Sequence, residues 1–284
     1  MDSEKSNITE PSDYINDSAN KTPHYLFRIN ETLFKAGIWS KTIDMNHAIK
    51  KLIETNRPIF QGLPVAFDGV VDEEAYTASA IRTVFLMKEV NGQEIEKKDG
   101  QIIVKQIEQD WDYTEWLNKQ AHDDSEQFYK TWPNICLWTE LLRNENTMYM
   151  DCMNAYGAFD SMHLRKNLAE IAVINVKKTP GKGSSDYEEL RKAAEHPENA
   201  ALIRSEIDIL NPNLIICGGT FEFAKKIFQV QQEEIMGLRS GAFYFRKDDR
   251  VYLEFVHPMW FSVNRNILFA YAKEVFREVK PLLK

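Results

Sequence analysis

Four short apolar runs constrain the fold of this chain more than any other feature of its sequence. They span residues 83–87, 171–175, 214–217 and 251–256, and each is bounded by polar or turn residues. Runs that are apolar on both faces are typical of buried strands in a largely parallel sheet with helices on both sides. The sequence therefore predicts four central strands.

Amphipathic patterns predict helices around these strands. They cover residues 44–55, 73–81, 186–194, 199–210, 221–228 and about 262–280. Strands that alternate with helices predict an α/β fold, here a three-layer sandwich around a central, mostly parallel, four-stranded sheet. Ligands of such sheets bind at the carboxyl ends of the strands. Functional residues are therefore expected directly after the strands.

The domain organisation follows from composition along the chain. Residues 1–22 are polar and poor in apolar side chains, which predicts a flexible N-terminal arm. No linker rich in Pro, Gly or Ser divides residues 23–284, and 43% of the chain is hydrophobic. We therefore expect one domain with a sizeable core.

Composition also limits the compartment and the partners. No apolar run approaches the roughly 20 residues needed to cross a bilayer, and the N-terminus lacks the features of a signal peptide. The three cysteines are widely separated, so they predict neither a disulfide framework nor a metal site. We expect a cytoplasmic protein with no metal, no cofactor and no membrane partner. The net charge of −8 argues against a general affinity for nucleic acid unless basic residues are concentrated on one face.

Polar side chains follow three of the predicted strands. Glu89 and Asn91 come after the first strand, Asn175 ends the second, and His257 follows the fourth. Because the carboxyl ends of parallel strands lie at the same edge of a sheet, a carboxylate, an amide and an imidazole are expected to converge there.

The segments that contain these residues resemble the uracil-DNA glycosylase superfamily. FLMKEVN (85–91) is similar to its Gly-Gln-Asp-Pro-Tyr loop, AVINVKKTP (172–180) to its Leu-Leu-Asn strand end, and HPMWFSVNR (257–265) to its late His-Pro-Ser-Pro-Leu-Ser loop. The resemblance covers roughly residues 80–92 and 165–275. It implies the three-layer fold of that superfamily, with an unaligned insertion at about 93–134.

The resemblance also implies roles for single residues. Glu89 falls on the aspartate that activates water, and Asn91 is the rival for that role. Asn175 falls on the residue that reads the pyrimidine edge, and His257 on the residue that contacts the base oxygen. Phe261 falls on the apolar wedge that fills the vacated stack.

Further residues are expected to bind the base or the DNA. Phe128 is the candidate for stacking on the base. Two glycines beside a lysine-rich stretch allow close approach of phosphates, and Ser262 is expected to cap the last helix. The other predicted DNA contacts are Lys88, Lys177, Lys178, Lys182, Ser262 and Arg265.

These residue types suit cleavage of an N-glycosidic bond. A carboxylate stabilises the positive charge on the sugar and orients a water, while an imidazole stabilises the departing base anion. The resemblance thus implies a monofunctional DNA glycosylase that removes a flipped base in DNA repair or in defence against phage DNA. Asn91 replaces the tyrosine that blocks the pyrimidine 5-position in that family, so the substrate is expected to be uracil or a 5-substituted pyrimidine.

Two other interpretations stay open at this point. The acidic charge and the altered first motif favour a non-catalytic module that binds nucleic acid or protein. The acidic charge also suits a hydrolase of free nucleosides or nucleotides, which would need no wedge.

Overall fold

A seven-stranded mixed sheet with helices on both faces organises the computed structural model of this protein. The structure describes residues 44–98, 101–123, 131–156, 162–182, 184–260 and 263–283. The predicted N-terminal arm lies outside these residues. Residues 44–284 form one compact unit.

The bounds of the elements are as follows. The strands are β1 (Ala66–Phe67), β2 (Gly69–Val70), β3 (Thr83–Met87), β4 (Gln93–Lys98), β5 (Gln101–Gln106), β6 (Trp111–Asp112), β7 (Ile171–Asn175), β8 (Leu214–Gly218), β9 (Met236–Gly237), β10 (Phe243–Lys247) and β11 (Arg250–Phe255). The α-helices are α1 (Met45–Thr55), α2 (Glu73–Ala78), α3 (Tyr113–His122), α4 (Thr131–Arg143), α5 (Tyr149–Tyr156), α6 (Met162–Ala169), α7 (Tyr187–Glu195), α8 (Pro197–Leu210), α9 (Phe221–Ile227) and α10 (Arg265–Val279). Short 3-10 helices lie at Arg57–Phe60, Gln232–Glu234 and Lys280–Leu282.

The sheet contains the four predicted strands but is wider than predicted. Its order is β2-β7-β3-β8-β11-β10-β9. The four central strands β7, β3, β8 and β11 pair in parallel, while β2, β10 and β9 pair antiparallel at the two sides. The prediction of a four-stranded sheet is therefore wrong in its strand count. β2 and β9 have two residues each, which is too short to show any hydrophobic period.

Alternate side chains of the central strands enter two separate cores. On β3, Phe85 and Met87 pack with apolar residues of α3, α4, α6 and α10. Val84 and Leu86, which point to the opposite face, pack with residues of α1, α7, α8 and α9. This alternation follows from the two-residue period of a strand. The protein is thus a mixed α/β fold whose sheet is covered on both faces.

Helix capping fixes where several helices begin. The side chains of Asp44, Asp112 and Asp186 occupy the N-cap positions of α1, α3 and α7 and accept hydrogen bonds from backbone N–H groups of the first turn. Such caps satisfy N–H groups that have no partner within the helix. The last helix differs from its prediction, because α10 begins at Arg265 rather than at about residue 262, and the prediction that Ser262 caps it is wrong, since Asn264 occupies the N-cap position.

The segment predicted as an insertion has regular structure in its described part. β4 and β5 form an antiparallel two-stranded sheet, β6 pairs in parallel with β1, and α3 and the start of α4 follow. Helices α3, α4, α5 and α6 were not predicted from the sequence. Over the described ranges, no helix combines the length and the apolar character that a membrane span requires.

Candidate active site at the carboxyl edge of the sheet

The polar residues predicted after the strands lie along one edge of the parallel strands. Met87 is in register with Asn175, and Gly218 is in register with Phe255. The turn after β8 is glycine-rich, and Gly219 has a φ of +69°. This left-handed conformation favours glycine.

Two residues from other strand ends lie close to Gly219. A Cβ atom added at Gly219 would lie 3.4 Å from His257 Cβ and 3.6 Å from Lys88 Cε. Lys88 follows β3 and His257 follows β11, so residues from two strands that are not adjacent meet over the turn after β8. Lys88 and His257 therefore lie close together at this edge of the sheet.

The geometry of His257 defines which ring nitrogen carries the proton. The backbone N–H of Met259 donates a hydrogen bond to Nδ1 of His257 over 3.2 Å. Because Nδ1 accepts, the neutral ring holds its proton on Nε2. Burial, together with the nearby Lys88 ammonium, lowers the pKa of His257 from 6.5 to about 4. His257 is thus a neutral hydrogen-bond donor at neutral pH.

Glu89 packs against a glycine of the lysine-rich loop. A Cβ added at Gly181 would lie 2.5 Å from Glu89 Cγ and 2.8 Å from Oε1. Backbone hydrogen bonds hold this contact, with Gly181 N–H donating to Val90 O over 2.8 Å and Gly92 N–H donating to Gly181 O over 3.0 Å. The loop after β7 therefore runs beside the loop after β3 and forms one wall around Glu89.

The side chain of Glu89 is half-buried. Burial raises the pKa of Glu89, while a hydrogen bond with Ser185 and the ammonium groups of Lys177 and Lys88 act in the opposite direction. Its Oε2 atom is buried and has no hydrogen-bond partner among the described residues. A buried carboxylate oxygen without a partner is costly in a purely structural role.

Asn175 is buried at the end of β7 and is held by a carboxylate that the sequence analysis did not identify. Its backbone N–H donates to Asp68 Oδ2 over 2.6 Å, and its Nδ2 donates to the same oxygen over 3.1 Å. Asp68 lies between β1 and β2 and is 2% exposed. One amide hydrogen of Asn175 is therefore already committed to the protein.

Lys178 does not lie where the sequence predicted. Its side chain is fully buried, with Nζ 2.8 Å from Asp68 Oδ1 and 2.6 Å from Glu206 Oε2. The attraction of two carboxylates outweighs burial and raises the pKa of Lys178, whereas burial raises the pKa of Glu206. The prediction that Lys178 binds a DNA phosphate is therefore wrong, because its ammonium group is enclosed between two acidic side chains.

A cavity of about 480 Å³ opens beside Glu89. Lys177, Lys182 and Glu89 line it together with residues of the first 3-10 helix and of α7, whereas His257 and Asn175 do not. Lys177 Nζ lies 2.5 Å from Glu189 Oε2, and Lys182 is exposed. The structure thus brings Glu89, Lys177 and Lys182 together around one cavity.

The charge of Lys88 acts on both Glu89 and His257. Its ammonium group opposes the rise in the pKa of Glu89 and contributes to the low pKa of His257. Lys88 Nζ also donates to Tyr187 Oη over 2.9 Å and lies 4.5 Å from the centre of that ring. Tyr187 is 60% exposed, so it offers an aromatic surface at this edge that the sequence analysis missed.

The loop after His257 carries exposed apolar side chains. Met259 is 37% exposed and Trp260 is 45% exposed. Asn134 of α4 donates from Nδ2 to Pro258 O over 2.5 Å and fixes the base of this loop. A second cavity of about 180 Å³ lies here, lined in part by Trp260 and by the half-buried Arg265, the first residue of α10.

The remaining predicted residues have different outcomes. Asn91 is exposed, and its backbone forms a parallel bridge with Gly181. Phe128, Phe261 and Ser262 lie outside the described residues.

The sequence held signals for the residues that were missed. Asp68 is the single charged residue in the apolar stretch VAFDGVV (65–71), and a lone carboxylate there suggests a buried polar contact. Trp260 is part of the HPMWFSVNR segment itself. Tyr187 gave no signal, because only the fold brings the start of α7 to the end of β3.

Comparison with known proteins identifies no relative, because no family model, no curated protein and no solved structure matches this chain. Among the described residues, no three His, Cys, Asp or Glu side chains are grouped as metal ligands would be.

Proposed function

We propose that this protein is a DNA glycosylase of the uracil-DNA glycosylase superfamily. In this proposal it hydrolyses the N-glycosidic bond of a base that is turned out of the helix and leaves an abasic site. The observation that carries the proposal is His257, a neutral imidazole that presents its Nε2 proton at the carboxyl edge of the sheet. The resemblance of the three strand-end segments supports the same function.

His257 suits the departing base. Cleavage leaves negative charge on the base, and a fixed donor aimed at a base oxygen stabilises that charge as it develops. His257 is half-buried, and an interaction that is partly removed from water is stronger than the same interaction in bulk solvent. Loss of one such donor typically costs about 3 kcal/mol of transition-state stabilisation.

Glu89 suits the sugar. The carbon that loses the base becomes cationic, and a nearby carboxylate stabilises it and orients the attacking water. The unpartnered Oε2 atom of Glu89 is the group proposed for this contact. Burial raises the pKa of Glu89, while Lys177 and Lys88 oppose this rise and favour the ionised form that the role requires.

Lys182 and Trp260 are the residues proposed to contact the DNA around His257 and Glu89. Lys182 is exposed on the lysine-rich loop, and ammonium groups at such positions bind phosphates without reading sequence. Trp260, which is exposed two residues after Pro258, is suited to enter the space that the base leaves. A small basic surface of this kind is compatible with a net charge of −8 if acidic residues cover the rest of the protein.

The proposed substrate is uracil or a pyrimidine with a 5-substituent, in repair or in defence against phage DNA. Asn91 is exposed and is smaller than the tyrosine of the family that it replaces. In this proposal, the smaller side chain leaves room for a substituent at the pyrimidine 5-position.

A hydrolase of free nucleosides is the second candidate. The cavity of about 480 Å³ beside Glu89 is within the size range of small-molecule sites. The acidic net charge also suits a substrate without a DNA backbone.

An abasic-site assay separates these functions. The full-length protein is incubated with DNA that contains uracil, with hydroxymethylated phage DNA and with glucosylated phage DNA, and the products are cleaved with alkali. Free deoxyuridine, deoxycytidine and 5-hydroxymethyldeoxycytidine are assayed for base release in parallel. The variants are His257→Gln and Glu89→Gln, with His47→Gln as the control because His47 is exposed on α1.

Each outcome has a defined meaning. Alkali-sensitive sites that are lost in both site variants and kept in the His47 variant would support the glycosylase. Base release from nucleosides alone would favour the second candidate. DNA that binds but stays intact, together with no base release from the free nucleosides, would contradict both and would favour a non-catalytic binding module.

A further inference from the structure

A buried cluster of charged groups lies directly behind Asn175. Asp68 Oδ2 accepts from the backbone N–H and from Nδ2 of Asn175, and Lys178 Nζ contacts both oxygens of Asp68 at 2.8 and 3.0 Å. Glu206 completes the cluster on the far side of Lys178. The side chains of Asp68, Lys178 and Glu206 are fully buried.

The carboxylate determines how the amide of Asn175 is oriented. A carboxylate that is ion-paired with Lys178 only accepts hydrogen bonds, so the amide must present Nδ2 to it and not Oδ1. Since the amide group is planar, Oδ1 then lies on the side away from Asp68. The carbonyl oxygen and the second Nδ2 hydrogen keep one fixed arrangement.

We propose that Asp68 is a positioning residue that fixes the donor and acceptor pattern with which Asn175 reads the edge of the base. This inference rests on the proposed function. A uracil-type edge presents an N3–H donor and a carbonyl acceptor, whereas a cytosine-type edge presents an N3 acceptor and an amino donor. The two patterns are reversed, so an amide in one fixed orientation matches only one of them in a given pose.

Burying this cluster costs stability, and the positioning of Asn175 explains why the cluster is present. Three buried ionisable groups lose their hydration, and a well-packed apolar cluster of similar volume is often as stable or more stable. Asp68 needs Lys178 to compensate its charge, and Lys178 in turn contacts Glu206. Glu206 therefore belongs to the cluster, but it forms neither of the two hydrogen bonds that hold Asn175.

Two variants separate positioning from structural support. Asp68→Asn and Glu206→Gln each replace one buried carboxylate beside Lys178 with the matching amide. An asparagine at position 68 can present either an oxygen or an amino group to Asn175, so both amide orientations become accessible. Glu206→Gln leaves Asp68 and its contacts with Asn175 in place.

The assay compares kcat/KM on one DNA sequence that carries either a uracil-type or a cytosine-type base. We expect Asp68→Asn to reduce the ratio of the two values about 10-fold, the size expected for one edge-reading contact. Glu206→Gln is expected to leave the ratio within about 2-fold of the wild type. Equal ratios in wild type and Asp68→Asn, or equal losses in both variants, would overturn the inference.

A second measurement keeps the test valid if Asp68→Asn does not fold. The side-chain amide signals of Asn175 in the NMR spectrum are identified by their loss in Asn175→Asp. One of these protons should exchange with water at least about 100-fold more slowly than those of the exposed Asn266, because it is buried and bonded to Asp68. Fast exchange would overturn the inference.

Failure of the proposed function is distinguishable from failure of this inference. Excision of no base by the wild-type protein would overturn the function and, with it, base reading by Asn175. An active wild type with an unchanged ratio in Asp68→Asn would overturn only the role of Asp68.

Discussion

The protonation of His257 is the most direct physical test of the candidate site. Burial and Lys88 lower the pKa of His257 from 6.5 to about 4. Each pH unit by which a pKa is lowered corresponds to about 1.4 kcal/mol, so the folded protein disfavours the charged imidazole by about 3 kcal/mol. We therefore expect His257 to stay neutral at pH 5.5, where an exposed histidine is charged.

The same difference predicts how stability depends on pH. Between about pH 6.5 and pH 4 the unfolded chain binds a proton at this position that the folded protein does not bind. His257 therefore does not reduce the free energy of unfolding above about pH 6.5. As the pH falls from about 6.5 to about 4, the free energy of unfolding of the wild type decreases. His257→Gln removes this dependence, so the variant should gain about 3 kcal/mol relative to wild type between pH 7.5 and pH 4.

Two measurements check this prediction. NMR titration of the imidazole carbons gives the pKa of His257 directly, and urea unfolding of wild type and His257→Gln across the pH range gives the difference in stability. His47→Gln serves as the control because His47 is exposed on α1. A pKa of His257 above 6, or parallel stability curves for His257→Gln and wild type, would refute the reasoning.

Three other substitutions test the cluster, the wall around Glu89 and the exposed loop. Lys178→Met leaves two buried carboxylates without their cation and should lower the free energy of unfolding by about 3–5 kcal/mol in urea titrations. Gly181→Ala places a Cβ atom 2.5 Å from Glu89 Cγ, so the carboxyl group must move and base release should fall about 10-fold or more. Trp260→Ala should weaken binding to DNA by about 1–3 kcal/mol in fluorescence titrations, since an exposed aromatic side chain at the site is lost.

Matched controls accompany these substitutions. Lys182→Met changes an exposed lysine and should alter stability by less than about 0.5 kcal/mol. Gly237→Ala meets no atom closer than 3.7 Å and should keep full activity. Phe243→Ala removes an exposed ring from the outer strand β10 and should leave DNA binding unchanged. A control that behaves like its site variant would contradict the assigned role.

The sequence by itself determined the centre of the fold. The run at 83–87 predicted β3 with its observed bounds, and the run at 171–175 did the same for β7. Such strands are apolar on both faces because helices cover both sides of the sheet, so the pattern is readable without knowledge of contacts. Amphipathic periods likewise located α7, α8, α9 and most of α10.

Local sequence also indicated which edge of the sheet to consider, but not the partners of each side chain. It placed His257 at a strand end, yet the pKa of His257 is lowered by burial and by Lys88, which is distant in sequence and lies close to His257 beside Gly219. The exposed Tyr187 is beside Lys88 only because α7 begins at the same edge.

Tertiary structure alone decided the role of Lys178. In the sequence it is one of several lysines in a glycine-rich loop, which is the composition of an exposed phosphate-binding segment. The fold instead encloses it between Asp68 and Glu206, 110 and 28 residues away along the chain. Whether a lysine contacts solvent or a buried carboxylate depends on which distant segments pack against it, and no local pattern records that packing.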